Sequence, residues 1–251
     1  MKTNSKKYMT QRQLWLGTTV AVICFLAMIA VGVYSWKWLY QQPKEQGALK
    51  PLRTVLNKNE QIFKRTLNHS QLTKEYPKEQ AVKKVRVNGK LGLKHDEDTL
   101  NWQLVLLKKD GDTLHISMNE IKALPRTEIV FDFKCVEGWS QVTHWGGVKF
   151  SDFMEHYQLD SQALMEYVSL VTPDKGYYVG IDMKSMLHPQ TLLCYEMNGE
   201  PLPVNQGYPL RLIIPVKYGI KHIKRIGTIS FSNERPRDYW FERGYDYFSG
   251  L

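Results

Sequence analysis

The chain has 251 residues, 43% of them hydrophobic and 12% aromatic. That is enough for one domain with a sizeable core, and the strand-type residues with scattered Gly and Pro exclude a disordered chain. The net charge of +9, from 34 Lys and Arg against 25 Asp and Glu, suits an anionic ligand or a membrane surface. With no basic amphipathic helix or zinc-finger spacing in view, no nucleic acid is expected as partner.

In chain order, the first element is an uncharged stretch, Leu14 to Trp36. About twenty apolar residues span a bilayer core, so residues 14–36 are expected to form a single-pass transmembrane anchor. Trp15, Tyr34, Trp36, Trp38 and Tyr40 cluster near its ends, where amphipathic rings prefer the interface. A cleaved signal peptide is the competing reading, disfavoured by the length and by the lack of a small-x-small site. Lys2, Lys6, Lys7 and Arg12 precede the span. The slight positive bias places residues 1–13 in the cytoplasm and the domain on the extracytoplasmic (periplasmic) side. "TQRQLWL" (10–16) also looks like a degenerate twin-arginine export signal.

Residues 37–60 read as a polar tether with a short helix at its end. The domain is expected over 61–251. "KKVRVNGKLGL" and "NWQLVLLKKDGDTLHISM" read as strands with Asn-Gly and Asp-Gly turns. "MNEIKALP" is a short helix ended by Pro125, and "RTEIVFDFKC" alternates like a strand that delivers Cys135 at its end. "KFSDFMEHYQL" has helical spacing. "EYVSLVTPDKGYYVGIDM", "MLHPQTLLCYEMNGEPLP" and "PLRLIIPVKYGIKHIKRIGTISFS" supply further strands and turns. No internal repeat is present, and the class is α+β, strand-rich with short helices.

GxGxxG, the Walker loop, HExxH and GxSxG are all absent, which removes support for common nucleotide, zinc-protease and serine-hydrolase readings. Three cysteines remain to be placed: Cys24 in the span, Cys135 and Cys194 in the domain. Cys135 could be a small buried hydrophobe, or a soft thiolate ligand at a strand end beside "VEGW". Arg211, Lys217, Lys221, His222, Lys224 and Arg225 fall within fifteen positions, either as a solvated basic face or as an anion site in which Gly219 allows close approach.

Two long segments decide between these readings. "FKCVEGWSQVTHWGGVKFSDF" and, about sixty residues on, "LLCYEMNGEPLPVNQGYPLRLIIPVKYGIKHIKRIGTI" resemble the sulfite oxidase-type molybdopterin oxidoreductases, over about residues 55–245. The resemblance implies that family's molybdopterin-binding fold, a molybdenum-molybdopterin cofactor, and Cys135 as the metal's protein ligand and a catalytic residue. It implies pterin or phosphate contacts at Gln206, Arg211, His222, Ile223 and Lys224. Thr172 in "VTP", and Arg65, Asn68 and His69 in "FKRTLNH", follow as further cofactor contacts. Tyr195 falls where sulfite oxidases place an active-site tyrosine. No arginine occurs in "CVEGWSQV", unlike the sulfite-binding turn, and here the segment is closer to the methionine sulfoxide reductase branch.

The resemblance therefore implies a membrane-anchored enzyme performing two-electron oxygen-atom transfer on a small-molecule substrate, reducing an S-oxide or N-oxide. Sulfite oxidation, or a cofactor-free tethered binding module, are the alternatives. With no haem-attachment CxxCH in the chain, electrons are expected to pass to or from a separate carrier, a membrane haem protein or a cytochrome. Cys194 is expected to be a core thiol.

Overall fold

The structure, a computed structural model, describes residues 9–93, 101–108 and 111–251. Its first element is α1, Gln11–Tyr40, started by a capping box between Thr10 and Gln13. No residue of α1 is buried, and its mean hydropathy reaches 2.4 over eighteen residues. Thirty residues rise about 45 Å, so the helix is long and apolar enough to cross a membrane.

The expected tether is a packed element over much of its length. Lys44–Glu45 (β1) and Ala48–Leu49 (β2) form a small hairpin, and α2 runs from Lys50 to Thr66 with Pro51 in its first turn. The buried face of α2 carries Arg53 and Glu60. Arg53 donates to the carbonyls of Gln46, Phe241 and Tyr245, and Phe63 stacks on Phe248. Hydropathy alone could not show this docking, because the inward contacts are largely polar.

Two five-stranded sheets make the body of the domain. In one, Arg126–Lys134 (β5), Ser140–Lys149 (β6), Leu192–Met197 (β9) and Glu200–Pro201 (β10) pair antiparallel in the order β10-β9-β6-β5. Arg211–Ile213 (β11) also pairs with β9. The other takes Gln103–Leu107 (β3), Thr113–Ser117 (β4), Tyr167–Val171 (β7), Tyr178–Asp182 (β8) and Thr228–Ser232 (β12) in the order β4-β3-β12-β7-β8. Only β3 and β12 run parallel in it. Short helices α3 (Met118–Lys122), α4 (Phe150–His156), α5 (Asp160–Ala163) and α6 (Met183–Met186) connect the strands. The expected α+β class holds. The β3–β4 hairpin forms, although Asp110 of its expected turn lies outside the described residues.

The first sheet is buried on both faces, and alternation sorts its side chains. Leu193, Tyr195 and Leu212 join the main core with Phe150, Phe153, Leu170 and Ile229. Cys194, Ile213, Trp145 and Phe131 point the other way, into a second core closed by Val85 and Leu202. Segment 82–93, expected to hold strands, has none and crosses this second core as an irregular chain. Val82 N–H bonds the Val142 carbonyl and Arg86 N–H the Gln141 side chain, while Gly89 and Gly92 take positive φ angles of 66° and 73°. Those glycine angles break a regular ladder.

Candidate active site

A cavity of about 310 Å³ opens on the second-core face of the first sheet. Its floor includes Phe133, Thr143, Trp145 and Arg211, and its roof includes Val85, Arg86, Asn88 and Gly89. Gln206, Gly219, His222 and Lys224 close one side, and Trp240 and Tyr245 from the C-terminal segment also line it. The size lies at the lower end of small-ligand sites, which run from ~300 to 1,000 Å³.

Arg211 is 2% exposed, with its guanidinium 4.5 Å from the centre of the Trp145 ring. Nη1 donates to the Gln206 carbonyl at 2.9 Å and to its side-chain oxygen at 3.0 Å, and Nη2 donates to the His222 carbonyl. Buried Nε has no hydrogen-bond partner among the described residues. Lys224 donates to the carbonyls of Asn88 and Gly89 at 2.7 and 3.2 Å. Among the described residues neither cation has a carboxylate within ion-pair distance. Burial pushes Arg211 down to about 10; burial, with Arg211 nearby, pushes Lys224 down to about 8. Glu137 also lines the cavity but accepts from Trp139 Nε1, so two desolvated cations that pair with no carboxylate among the described residues favour an anion there.

The remaining cations of the basic run do different work. Lys217 pairs with Asp182 at 2.9 Å and Lys221 with Asp238, both buried, and Lys221 also donates to the Gly180 carbonyl. They are internal ties and not a solvated face. Arg225 has a positive φ of 50° and its Nε donates to the Tyr208 carbonyl.

His222 is held neutral by its partners. Nε2 faces the Lys217 carbonyl at 3.1 Å and takes the donor role, leaving Nδ1 to accept from Ile214 N–H at 3.4 Å. Burial, with Arg211 alongside, pushes the imidazole down to about 3. Gln206 also donates to the carbonyls of Val85 and Arg86, so it joins the roof to Arg211. Ile223 is fully buried behind the wall, its carbonyl accepting from Leu212 N–H.

Cys135 sits in a tight turn. Its N–H donates to the Trp139 carbonyl, its own carbonyl accepts from Gly138 N–H, and Gly138 takes φ 85°. The thiol is 4% exposed and accepts from Asn88 Nδ2 at 3.3 Å. It stands behind the cavity wall formed by Asn88, Val136 and Trp139, and borders a shallower cleft lined also by Gly138, Ser140, Lys134 and Tyr218. Cys135 and Cys194 are both free thiols. Burial drives the Cys194 thiol far above its ordinary range, as expected of a core cysteine.

Several expected site residues lie elsewhere. Tyr195 is the extra residue of a bulge in β9 opposite Gly146 and Gly147, packs in the main core and does not line the cavity. Lys122 lies over its ring at 5.8 Å. The Thr172 hydroxyl closes its own turn, donating to Asp174 and accepting from Tyr177 N–H. Arg65, Asn68 and His69 are exposed. Asn68 accepts from Ser70 N–H, and His69 bonds the Lys184 carbonyl at 2.8 Å. None of these five lines the cavity. Conversely, Asn88, Phe133 and Trp139 were not expected there; the Asn-Gly pair at 88–89 reads as an ordinary turn until segment 82–93 is seen lying across the sheet.

A molybdopterin fits this arrangement. Orphaned Arg211 Nε, the uncompensated charge of Arg211 and Lys224, and the backbone at Gly89, where a Cβ would meet open space, suit a phosphate-bearing ring system. Among the described residues no group of three or more His, Cys, Asp or Glu gathers. A molybdopterin would itself supply the other ligands of a metal held by Cys135.

Comparison with known proteins agrees. The family described as "Oxidoreductase molybdopterin binding domain" matches residues 91–240. The "Protein-methionine-sulfoxide reductase catalytic subunit MsrP" of Campylobacter jejuni is 32% identical over 164 residues, 60% of this chain and 55% of the relative. The "Uncharacterized oxidoreductase YuiH" of Bacillus subtilis is 32% identical over 150 residues, 59% of this chain and 74% of the relative. The chain spans about half the length of the methionine-sulfoxide reductases it matches. The sulfane dehydrogenase SoxCD from Paracoccus pantotrophus aligns over 56% of this chain and 40% of its own, with a TM-score of 0.49 and 15% identity. With the matched region covering both cavity cations and the Cys135 turn, this chain belongs to the oxidoreductase molybdopterin binding domain family.

Proposed function

We propose that this protein is a membrane-anchored reductase of S-oxides or N-oxides. When bound, the cofactor supplies two-electron oxygen-atom transfer at molybdenum. Arg211 and Lys224 would hold its phosphate, with Gln206 fixing the guanidinium and Gly89 leaving room at the roof. Cys135 would supply the thiolate ligand, with Asn88 Nδ2 donating to its sulfur. His222, a neutral imidazole protonated at Nε2, acts through its carbonyl to position Arg211.

One observation favours an uncharged substrate: the segment from Val136 to Val142 contains no arginine, and Val136, Trp139 and Tyr218 face the cleft beside Cys135, with Lys134 the one cation among its lining residues. Sulfite would find one exposed lysine there and no guanidinium, whereas the apolar groups of a sulfoxide or N-oxide can be buried against the aromatic and aliphatic side chains. The relative named as a methionine-sulfoxide reductase points the same way. Reducing an S-oxide consumes two electrons and two protons and releases the thioether and water. A separate carrier, a membrane haem protein or cytochrome, supplies the electrons. The helix Gln11–Tyr40 anchors the enzyme beside it, with the catalytic domain on the extracytoplasmic side.

Purified holoprotein given a reduced viologen is expected to reduce sulfoxides or N-oxides faster than it oxidises sulfite with an artificial acceptor. Brisk sulfite oxidation without oxide reduction would overturn the direction.

A further inference from the structure

Helix α2 is packed inside out. Its inward face holds Arg53 and Glu60, with Lys64 half-buried beside them, while Leu52, Val55 and Ile62 are 47%, 55% and 58% exposed. At 100° per residue these three apolar side chains fall within an arc of about 80°. Exposed Lys58 and Arg65 flank that arc. The helix's single carboxylate, Glu60, is turned inward to Lys64 and Arg235. Asn59 and Thr66 share the arc, the Thr66 hydroxyl bonded back to the Ile62 carbonyl, so exposed α2 is a largely apolar stripe beside a basic strip.

Nine residues, 41–49, separate α2 from the end of α1, and they cannot span more than about 30 Å. A helix with this pattern, so close to a membrane span, has the composition of one that lies in the interface plane.

We propose that the outward face of α2 rests on an anionic bilayer surface, with its apolar stripe at the headgroup–acyl boundary and its basic strip against lipid phosphates. This rests on the reading that α1 crosses the bilayer. Its consequence reaches the active site: Arg53, on the opposite face of α2, donates to the carbonyls of Phe241 and Tyr245, and Tyr245 lines the cavity. Docking of α2 fixes the height and orientation of the cavity above the membrane, and so the approach of any membrane-borne electron carrier.

Single nitroxide labels test this in the full-length holoprotein, reconstituted into phosphatidylglycerol or phosphatidylcholine vesicles. Labels at Val55→Cys and Ile62→Cys, in a Cys24→Ser background, are compared with Thr54→Cys and Gln61→Cys on the exposed polar side. In phosphatidylglycerol, the ratio of collisions with dissolved oxygen to collisions with a water-soluble nickel chelate should be several-fold higher at 55 and 62. In phosphatidylcholine, or with Lys58→Glu and Arg65→Glu together, that contrast should shrink. Equal nickel access at all four positions would overturn the proposal. Shielding of 55 and 62 from both reagents would also overturn it, because a second copy of the chain would then cover the stripe. A label on native Cys24 reports α1 separately: nickel access there would sink the anchoring reading itself, and this inference with it.

Discussion

Arg211 and Lys224 carry the residue-scale argument, because a desolvated cation without a counter-ion is costly unless a ligand supplies one. Their nearest partners are carbonyl oxygens and the Gln206 amide, which orient but do not neutralise them. Arg211→Ala or Lys224→Ala should each reduce the pterin that co-purifies, as a charge-assisted contact of ~1.5–3 kcal/mol would cost more than a tenfold loss in affinity. Fluorescence of oxidised, released pterin would measure it. Unchanged occupancy in both variants would mean that the cavity holds its ligand by other means. Tyr195 makes a complementary case. It faces the main core beneath Lys122, and burial raises its phenol above the ordinary range. Tyr195→Phe is therefore expected to leave cofactor content and turnover within twofold of wild type (about 0.4 kcal/mol). A fall in turnover of more than tenfold, at full molybdenum content, would place the phenol in the chemistry after all.

Between residues and the whole chain stand the elements that hold the site. The loop from Ile214 to Arg225 carries both cavity contacts and internal ties, and the Lys217–Asp182 pair pins it to β8 and α6. Asp182 also caps α6, accepting from Ser185 N–H and Oγ. Burial pushes the Asp182 carboxyl up, but Lys217 and Ser185 more than offset this and hold it below its ordinary range. Between the folded and unfolded values the unfolded chain binds the proton and the folded chain does not. The pair's stabilisation is thus present at neutral pH and lost as pH falls below the usual carboxylate range. Asp182→Ala should cost ~3–5 kcal/mol at neutral pH, since it strands a buried ammonium; denaturant unfolding would show it, and a cost under about 1 kcal/mol would refute the tie. Elements of this kind differ in how far the sequence reveals them. Strand β5 was legible because period-2 alternation in "RTEIVFDFKC" reflects real burial, and it delivers Cys135 where expected. Asn198 and Gly199 likewise join β9 to β10 with both φ angles positive, as an Asn-Gly turn requires. Segment 82–93 was not legible, because its shape is set by contacts to Gln141, Val142 and Gln206 from far along the chain. The length and docking of helix α2 escaped for the opposite reason: its inward face is polar and its apolar face looks out, so hydropathy reads it as a tether with only a short helix at its end.

At the scale of the molecule, three things must coincide: an apolar helix, a cavity lined by Arg211 and Lys224, and a thiol beside it. The family resemblance was readable from two motifs, yet only the fold shows which of their residues share a cavity. It gathers Gln206, Arg211, His222 and Lys224, and sets Thr172, Tyr195 and the 65–69 segment apart. It also puts Asn88 between the cavity and Cys135, so the thiol is the group whose role the geometry leaves most exposed to test. Hydroxyl is a poor substitute for thiolate toward a soft metal, while serine fills almost the same space. Elemental analysis of protein from a molybdopterin-competent host is therefore the most direct measurement. About one molybdenum per chain is expected in the wild type from the single Cys135 ligand, falling to a small fraction in Cys135→Ser with the fold intact. Well-folded wild type without molybdenum, or a Cys135→Ser variant that keeps its metal in full, would contradict the account.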